Sequence, residues 1–199
     1  MHTRTGFLSS FAIALVLAAP AFAQQNRPAA PAQSAQQTEQ RLNQKDIGFV
    51  KEAALGGIAE VELGKLAEQN GNNVQVKEFG ARMVRDHGNA NNELQTIASG
   101  KGVTLPQQLD PTHMQLRDRL AKLKGAEFDR AYMREMVQDH DKDVKAFRQH
   151  AQSGTDPDVK QFAQKTLPTI EEHDSMAHDI VKSLTAVGSS QSQPGGTRR

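Results

Sequence analysis

The 199-residue chain contains no cysteine and no tryptophan, and it has a single tyrosine. Without cysteine it cannot form a disulfide, a thiolate metal site or a lipid anchor attached through a cysteine side chain. Lysine and arginine number 24 and aspartate and glutamate 23, so the chain also lacks the basic surplus typical of proteins that bind nucleic acid or anionic membranes. We therefore expect no nucleic-acid partner and a fold held together by packing alone.

Long apolar runs are also scarce, and the clearest lies near the N-terminus. Arg4 precedes an apolar stretch at residues 7–19, and Ala21-Phe22-Ala23 has the A-x-A form of a signal-peptidase site. The stretch is too short to span a bilayer, and polar residues follow it at once. Residues 1–23 are therefore predicted to be a secretory signal peptide cleaved after Ala23. This predicts a periplasmic or secreted protein with no stable membrane insertion after cleavage.

The rest of the chain divides into three parts by composition. Residues 24–44 are rich in Gln, Ala, Pro and Ser, which predicts a disordered linker. Residues 45–187 have regularly spaced apolar residues, and a segment of about 143 residues is long enough for one hydrophobic core. Residues 188–199 are mostly Gly, Ser and Gln and are predicted to form a flexible tail.

Turn signals divide the folded part into helices, and no strand is predicted. Asn73 and Asp110 are typical N-cap residues, Pro111 suits the first helical turn, and Gly125 is expected to end the short helix that Asp110 begins. The four long helices each carry an apolar stripe of 3.6-residue period. The predicted fold is an all-α, ferritin-like four-helix bundle, with a short extra helix in the long connection between the second and third long helices. The predicted spans are 46–70, 73–100, 110–125, 126–152 and 157–186.

Histidines interrupt three of these apolar stripes, and two of these histidines end a repeated Met-Val-x-Asp-His motif, called the MVxDH word below. Residues 83–87 are MVRDH and residues 136–140 are MVQDH. His87, His140 and His173 lie at similar heights on three helices, and Glu60 lies at a similar height on the first. Helix bundles build metal sites from such inward-facing groups. We therefore predict a metal site formed by His87, His140, His173 and Glu60, with Met83, Met136 and Met176 as additional soft ligands.

The donor types indicate copper or zinc. Imidazole with thioether suits copper, especially Cu(I), whereas three imidazoles with a carboxylate suit zinc or Cu(II). A di-iron centre would need Glu three residues before histidine, and those positions hold Val84, Val137 and Ile170. No nucleophile lies on the stripes except Thr166, so no catalytic residue is assigned.

A second interpretation needs no ligand. The buried histidines could form a hydrogen-bonded network that fixes the register of a non-catalytic structural or stress-related protein. Acidic residues adjoin each histidine, at Asp86, Asp139 and Glu172. Because neighbours on a helix point about 100° apart, these acids are expected to solvate the bundle surface and not to orient the imidazoles.

Four segments between residues 49 and 178 carry a resemblance to a known family. In chain order they are FVKEAALGGIAEVELGKLAEQNGN, FGARMVRDHGNANNEL, GAEFDRAYMREMVQDH and FAQKTLPTIEEHDSMAH. Together they resemble an exported bacterial family, domain of unknown function 4142. The resemblance implies a ferritin-like fold and an exported bacterial protein, and it implies no activity. The positions that match the family are Glu60, Asp86, His87, Phe128, Asp129, Tyr132, His140 and His173.

Overall fold

The structure, a computed structural model, describes residues 41–190, with side chains described up to residue 186. The predicted signal peptide, nearly all of the predicted linker and residues 191–199 lie outside that range. Within it the chain forms five helices and no strand, which confirms the predicted all-α, ferritin-like four-helix bundle. The helices are α1 (Gln44–Asn70), α2 (Val74–Gly100), α3 (Pro111–Ala121), α4 (Gly125–Ser153) and α5 (Pro157–Ser190).

Two helical hairpins build the bundle. Residues 71–73 join α1 to α2, and residues 154–156 join α4 to α5, so each pair packs along its length as antiparallel neighbours. Contacts of α1 with α4 and of α2 with α5 close the four-helix arrangement. The short helix α3 lies in the long connection 101–124 and packs against α1 and α4. This is the predicted long crossover with its extra helix.

Three predicted boundaries differ from the structure. Leu42, Asn43 and Gln44, placed in the linker by composition, belong to the folded part, because Leu42 is buried and Asn43 caps α1 by accepting a hydrogen bond from the Asp46 N–H. Gly125 begins α4 with a φ of 60° and does not end α3, which stops at Ala121. At the other end α5 extends to Ser190, into the predicted tail.

The two hairpin turns are built alike. Asp129 of α4 accepts hydrogen bonds from two successive backbone N–H groups of the α1–α2 turn, at 3.0 and 2.9 Å. Asp46 of α1 does the same for the α4–α5 turn, at 3.3 and 2.9 Å. An interval of 83 residues separates the two aspartates, and the same interval separates the turn glycines Gly71 and Gly154. The fold therefore contains a repeated hairpin in which each half anchors the turn of the other.

Glycines allow α1 and α2 to lie unusually close together. A Cβ added to Gly64 would lie 2.6 Å from the Gly80 carbonyl oxygen, and one added to Gly80 would lie 2.6 Å from the Ala67 Cβ. Neither position can accept a side chain without movement of the backbone. The absence of a side chain at Gly64 and Gly80 thus permits the close approach of the two helices.

The core consists of two apolar clusters separated by a polar layer. The first cluster includes Leu63, Phe79, Tyr132, Met136 and Ala177, and the second includes Val50, Leu94, Phe147 and Phe162. On every long helix the two clusters lie on opposite sides of one buried polar residue. These residues are Glu60 on α1, His87 on α2, His140 on α4 and His173 on α5.

Candidate metal centre

The three histidines of the polar layer come together in the middle of the bundle. Their exposed fractions are 5% for His87 and 0% for His140 and His173. Ring centroids lie 5.8 Å apart for His87 and His140, 5.4 Å for His87 and His173, and 5.5 Å for His140 and His173. One potential ligand atom from each residue lies within 4.8 Å of the other two. The histidines of the two MVxDH words therefore meet at one point, together with a third from α5.

Hydrogen bonds fix the protonated nitrogen on two of the rings. His140 Nδ1 lies 2.9 Å from the Met136 carbonyl oxygen, which can only accept, so Nδ1 carries the proton and Nε2 carries the lone pair. His173 Nε2 donates to Asp86 Oδ2 at 3.0 Å, which leaves the lone pair on Nδ1. His140 Nε2, His173 Nδ1 and His87 Nε2 are all buried and have no hydrogen-bond partner. Each ring thus has one unpartnered nitrogen.

Asp86 corrects the expectation that the acidic neighbours only solvate the surface. Asp86 lies on α2, and its Oδ2 is 3.0 Å from His173 Nε2 on α5. Burial alone would raise the pKa of Asp86, yet hydrogen bonds from His173 and Arg82 outweigh burial and lower that pKa. Asp86 is consequently an ionised acceptor that orients His173. Sequence spacing could not reveal this contact, because the two residues are on different helices.

All three imidazoles are held in the neutral form. Burial lowers the pKa of His173 to about 4, although its hydrogen bond to Asp86 acts in the opposite direction. Burial also lowers the pKa of His140, and the pKa of His87 falls well below its ordinary value because of burial and the two neighbouring histidines. Neutral imidazole is the form that coordinates a metal ion.

Glu60 belongs to the polar layer but lies outside the group of three ligand atoms. Its Oε1 is 3.9 Å from His140 Nδ1, the nitrogen that already donates to a carbonyl oxygen. Both carboxyl oxygens are buried without a hydrogen-bond partner. Burial, and then the negative charges of Asp139 and Asp143, raise the pKa of Glu60 well above its ordinary value. Glu60 is thus a neighbour of the imidazole cluster whose ionised form is disfavoured by burial.

The three methionines predicted as soft ligands have different surroundings. Met83 and Met136 are buried in the first apolar cluster. Met176 is half-buried, and its sulfur accepts a hydrogen bond from Arg82 Nη1 at 3.2 Å. Of these three sulfur atoms, that of Met176 is thus engaged by Arg82.

Aromatic side chains of the first apolar cluster border the three imidazoles. The centroid of the Phe79 ring lies 6.1 Å from that of His140, 6.4 Å from that of His173 and 6.2 Å from that of Tyr132. Tyr132 is the chain's single tyrosine. The arrangement offers three neutral nitrogen donors in an apolar enclosure, a set that suits zinc or copper and leaves a fourth coordination position open.

The fold and this cluster define a ferritin-like helical bundle with a buried three-histidine centre. No helix within residues 41–190 is both long enough and apolar enough to cross a membrane. The chain belongs to the family described as Domain of unknown function (DUF4142), whose family model matches residues 30–180. No curated protein matches the chain.

Two solved structures are similar in fold. A DUF305 fragment from Deinococcus radiodurans has a TM-score of 0.63 and 12% identity, with 72% of this chain and 99% of that chain covered. A protein from Streptomyces coelicolor described as "putative secreted protein DUF305" has a TM-score of 0.60 and 16% identity, with coverages of 71% and 92%. At these identities the likeness concerns the fold alone.

Proposed function

We propose that this protein binds one copper or zinc ion through His87, His140 and His173. The observation that carries the proposal is the set of three buried, neutral imidazoles whose candidate ligand atoms lie within 4.8 Å of one another. Each ring also has a buried nitrogen without a hydrogen-bond partner. Contraction of this cluster by a small amount would bring three nitrogens to the 2.0–2.1 Å bond length of zinc–imidazole sites.

The contacts around the cluster also support a metal site. Metal-binding histidines usually donate their second ring N–H to a carboxylate or a carbonyl oxygen, which orients the ring. His173 donates in this way to Asp86, and His140 donates to the Met136 carbonyl oxygen. Glu60, proposed from the sequence as a fourth ligand, is better suited to a supporting role, because its Oε1 lies 3.9 Å from His140 Nδ1.

Elemental analysis by mass spectrometry tests the proposal. The purified full chain, without a histidine tag, is exposed separately to zinc, Cu(II), Cu(I) under reductant, and iron, and unbound metal is then removed. We expect about one zinc or copper ion per chain, by analogy with single His₃ centres. The replacement of His87, His140 and His173 by Ala should abolish binding, and the milder variant His87→Gln should weaken it without unfolding the protein. His113→Ala, outside the cluster, is the matched control.

A fluorescence titration provides a second readout. Tyr132 is the chain's only tyrosine and there is no tryptophan, so its emission is an uncomplicated intrinsic probe. One ring, that of Phe79, separates it from His140 and His173. Stoichiometric quenching by Cu(II) in the parent and its loss in His87→Gln would agree with a core site. Absence of bound metal under every condition would overturn the proposal.

The second candidate is a structural role without a ligand. It is favoured by the hydrogen bond from His173 on α5 to Asp86 on α2, which ties two helices together, while His140 is held within α4 by the Met136 carbonyl oxygen. On this interpretation His87→Leu changes stability, and no parent or variant protein binds metal. A bundle that keeps its fold but loses stoichiometric metal on that substitution would exclude it.

We further propose that the protein is exported, with residues 1–23 removed after Ala23, and that it acts in the periplasm or outside the cell. The N-terminal sequence supports this, and a structural relative from Streptomyces coelicolor is itself described as secreted. The balanced charge supports the absence of a nucleic-acid partner. Expression in an export-competent bacterium followed by intact-mass measurement should give the chain that begins at Gln24. Retention of residues 1–23 would contradict the cleavage.

A further inference from the structure

Arg82 forms a bridge from α2 to α5 directly above the Asp86–His173 contact. Its Nε donates to Asp86 Oδ2 at 3.1 Å, and its Nη2 lies 2.6 Å from Glu172 Oε2. Its Nη1 donates to the Met176 sulfur at 3.2 Å. One guanidinium group is thus seated among two carboxylates and a thioether, contributed by both helices.

These acceptors are also donors that a transition-metal ion can use. Copper binds both carboxylate oxygen and thioether sulfur, and the thioether favours copper over zinc. Asp86 connects this outer group of acceptors to the cluster, because it also holds His173. The guanidinium therefore occupies a place that favours a cation, and its partner Asp86 is adjacent in sequence to the proposed ligand His87.

The outer group can be reached from solvent, whereas the imidazoles are buried. A groove of about 390 Å³ lies between α2 and α5, and Arg82 and Asp86 line it. The Arg82 and Asp86 side chains are 25% and 19% exposed, and Glu172 is 58% exposed. Ion pairs with this much solvent contact are weak, so a cation arriving along the groove can displace the guanidinium.

We infer that Arg82 is the gate of the metal centre, a resident cation that an incoming copper ion must displace from Asp86, Glu172 and Met176 before it reaches the imidazoles. The inference rests on the proposed function. It assigns the entrance to the α2–α5 side of the bundle and makes Met176 an entry ligand for copper. This role explains why the Met176 sulfur contacts Arg82. The exchange replaces one cation at the outer group by another; the charge there is unchanged when Cu(I) enters and rises by one when Cu(II) enters.

Stopped-flow measurement of Tyr132 quenching by Cu(II) at low ionic strength tests the gate, with the full chain as parent. Removal of the resident cation from Asp86, Glu172 and Met176 frees the entry ligands, and for Arg82→Gln we expect the association rate to rise about tenfold at unchanged stoichiometry. Lys165→Gln is the matched control. Lys165 lines the same groove and bridges the same helices through Glu93, at 2.7 Å, without contacting Asp86. The association rate of the Lys165→Gln variant should stay within about twofold of the parent rate, as expected for a general charge effect.

Met176→Leu is the second variant, and it should slow copper uptake while leaving the stoichiometry of the core site intact. An Arg82→Gln rate equal to the parent rate would overturn the gate and leave the proposed function standing. Equal acceleration by Lys165→Gln would overturn it as well, because charge alone would then account for the effect. Loss of bound copper in Arg82→Gln would identify Arg82 as a support of the site and not its gate. A parent that binds no copper overturns the proposed function, and the gate with it.

Discussion

The substitution Asp86→Asn tests whether the core cluster is organised to bind metal. Asp86 accepts the His173 Nε2 proton at 3.0 Å and thereby holds the lone pair on Nδ1. Asparagine has nearly the same shape, but its amide is neutral and can present either oxygen or nitrogen to the ring. The charge-assisted hydrogen bond is therefore lost, and the ring is no longer restricted to one tautomer and orientation.

The expected effect is a loss of metal affinity of about 10- to 100-fold, the usual consequence of removing a carboxylate behind a metal-binding histidine. This corresponds to about 1.4–2.7 kcal/mol of binding free energy. Competition against a chelator of known affinity, followed through Tyr132 emission, measures it. The chain provides its own control, because Asp139 occupies the corresponding place in the second MVxDH word, while the His140 ring next to it is held by the Met136 carbonyl oxygen.

Asp139→Asn should therefore lower the affinity much less than Asp86→Asn. Equal losses in the two variants would show that general negative charge, and not the oriented hydrogen bond, supports the ion. An unchanged affinity in Asp86→Asn would refute the reasoning directly. Circular dichroism of each variant at equal concentration confirms that the comparison is made between folded proteins.

Three further substitutions test the fold and its polar layer. Burial lowers the pKa of His173 in the folded protein to about 4, so between pH 6.5 and about 4 the unfolded chain takes up more protons and stability is lost as pH falls. About 3 kcal/mol of this loss should disappear in metal-free His173→Leu, measured by urea unfolding across that pH range. Parallel curves of stability against pH for the two proteins would contradict the prediction. Gly80→Ala should destabilise by about 1–3 kcal/mol, because the added methyl meets the Ala67 Cβ at 2.6 Å, and an unchanged melting temperature would contradict the close approach. Asp129→Ala leaves two turn N–H groups without their acceptor and should cost about 2 kcal/mol in thermal unfolding, whereas Asp118→Ala, on exposed α3, should cost little.

The long helices could be predicted from the sequence because their signals are local. Asn73 and Asp110 cap α2 and α3 as expected, and each accepts a hydrogen bond from a backbone N–H of the first turn. Gly125 was misassigned because a glycine with positive φ is usual just after a helix, whereas here it starts one. Leu42 was assigned to the linker because its neighbours are polar, and only the tertiary contact that buries it could correct this.

The candidate site was predictable to the extent that it depends on helical periodicity. Buried faces recur every 3.6 residues, so the inward positions of His87, His140 and His173 follow from the apolar stripes around them. Contacts between helices do not follow from such spacing. The partner of Asp86 is on α5, and the partner of the Met176 sulfur is on α2, so neither the support of His173 nor the Arg82 bridge could be foreseen.

The energetics of the polar layer distinguish its two possible roles. The hydrogen bond from His173 to Asp86 fixes the register of α5 against α2, yet each of the three imidazoles has a buried nitrogen without a partner. Such an atom costs about 1–3 kcal/mol when it is taken from water and left unpaired. Apolar residues of similar size would fill the same space without that cost. A role confined to helix register gives no compensation for the three unpaired nitrogens, whereas one coordinated ion satisfies all of them together. On His140 and His173 one ring nitrogen is fixed by a hydrogen bond and the other is left unpaired, and this distribution is a stronger argument for a ligand than the burial of the histidines.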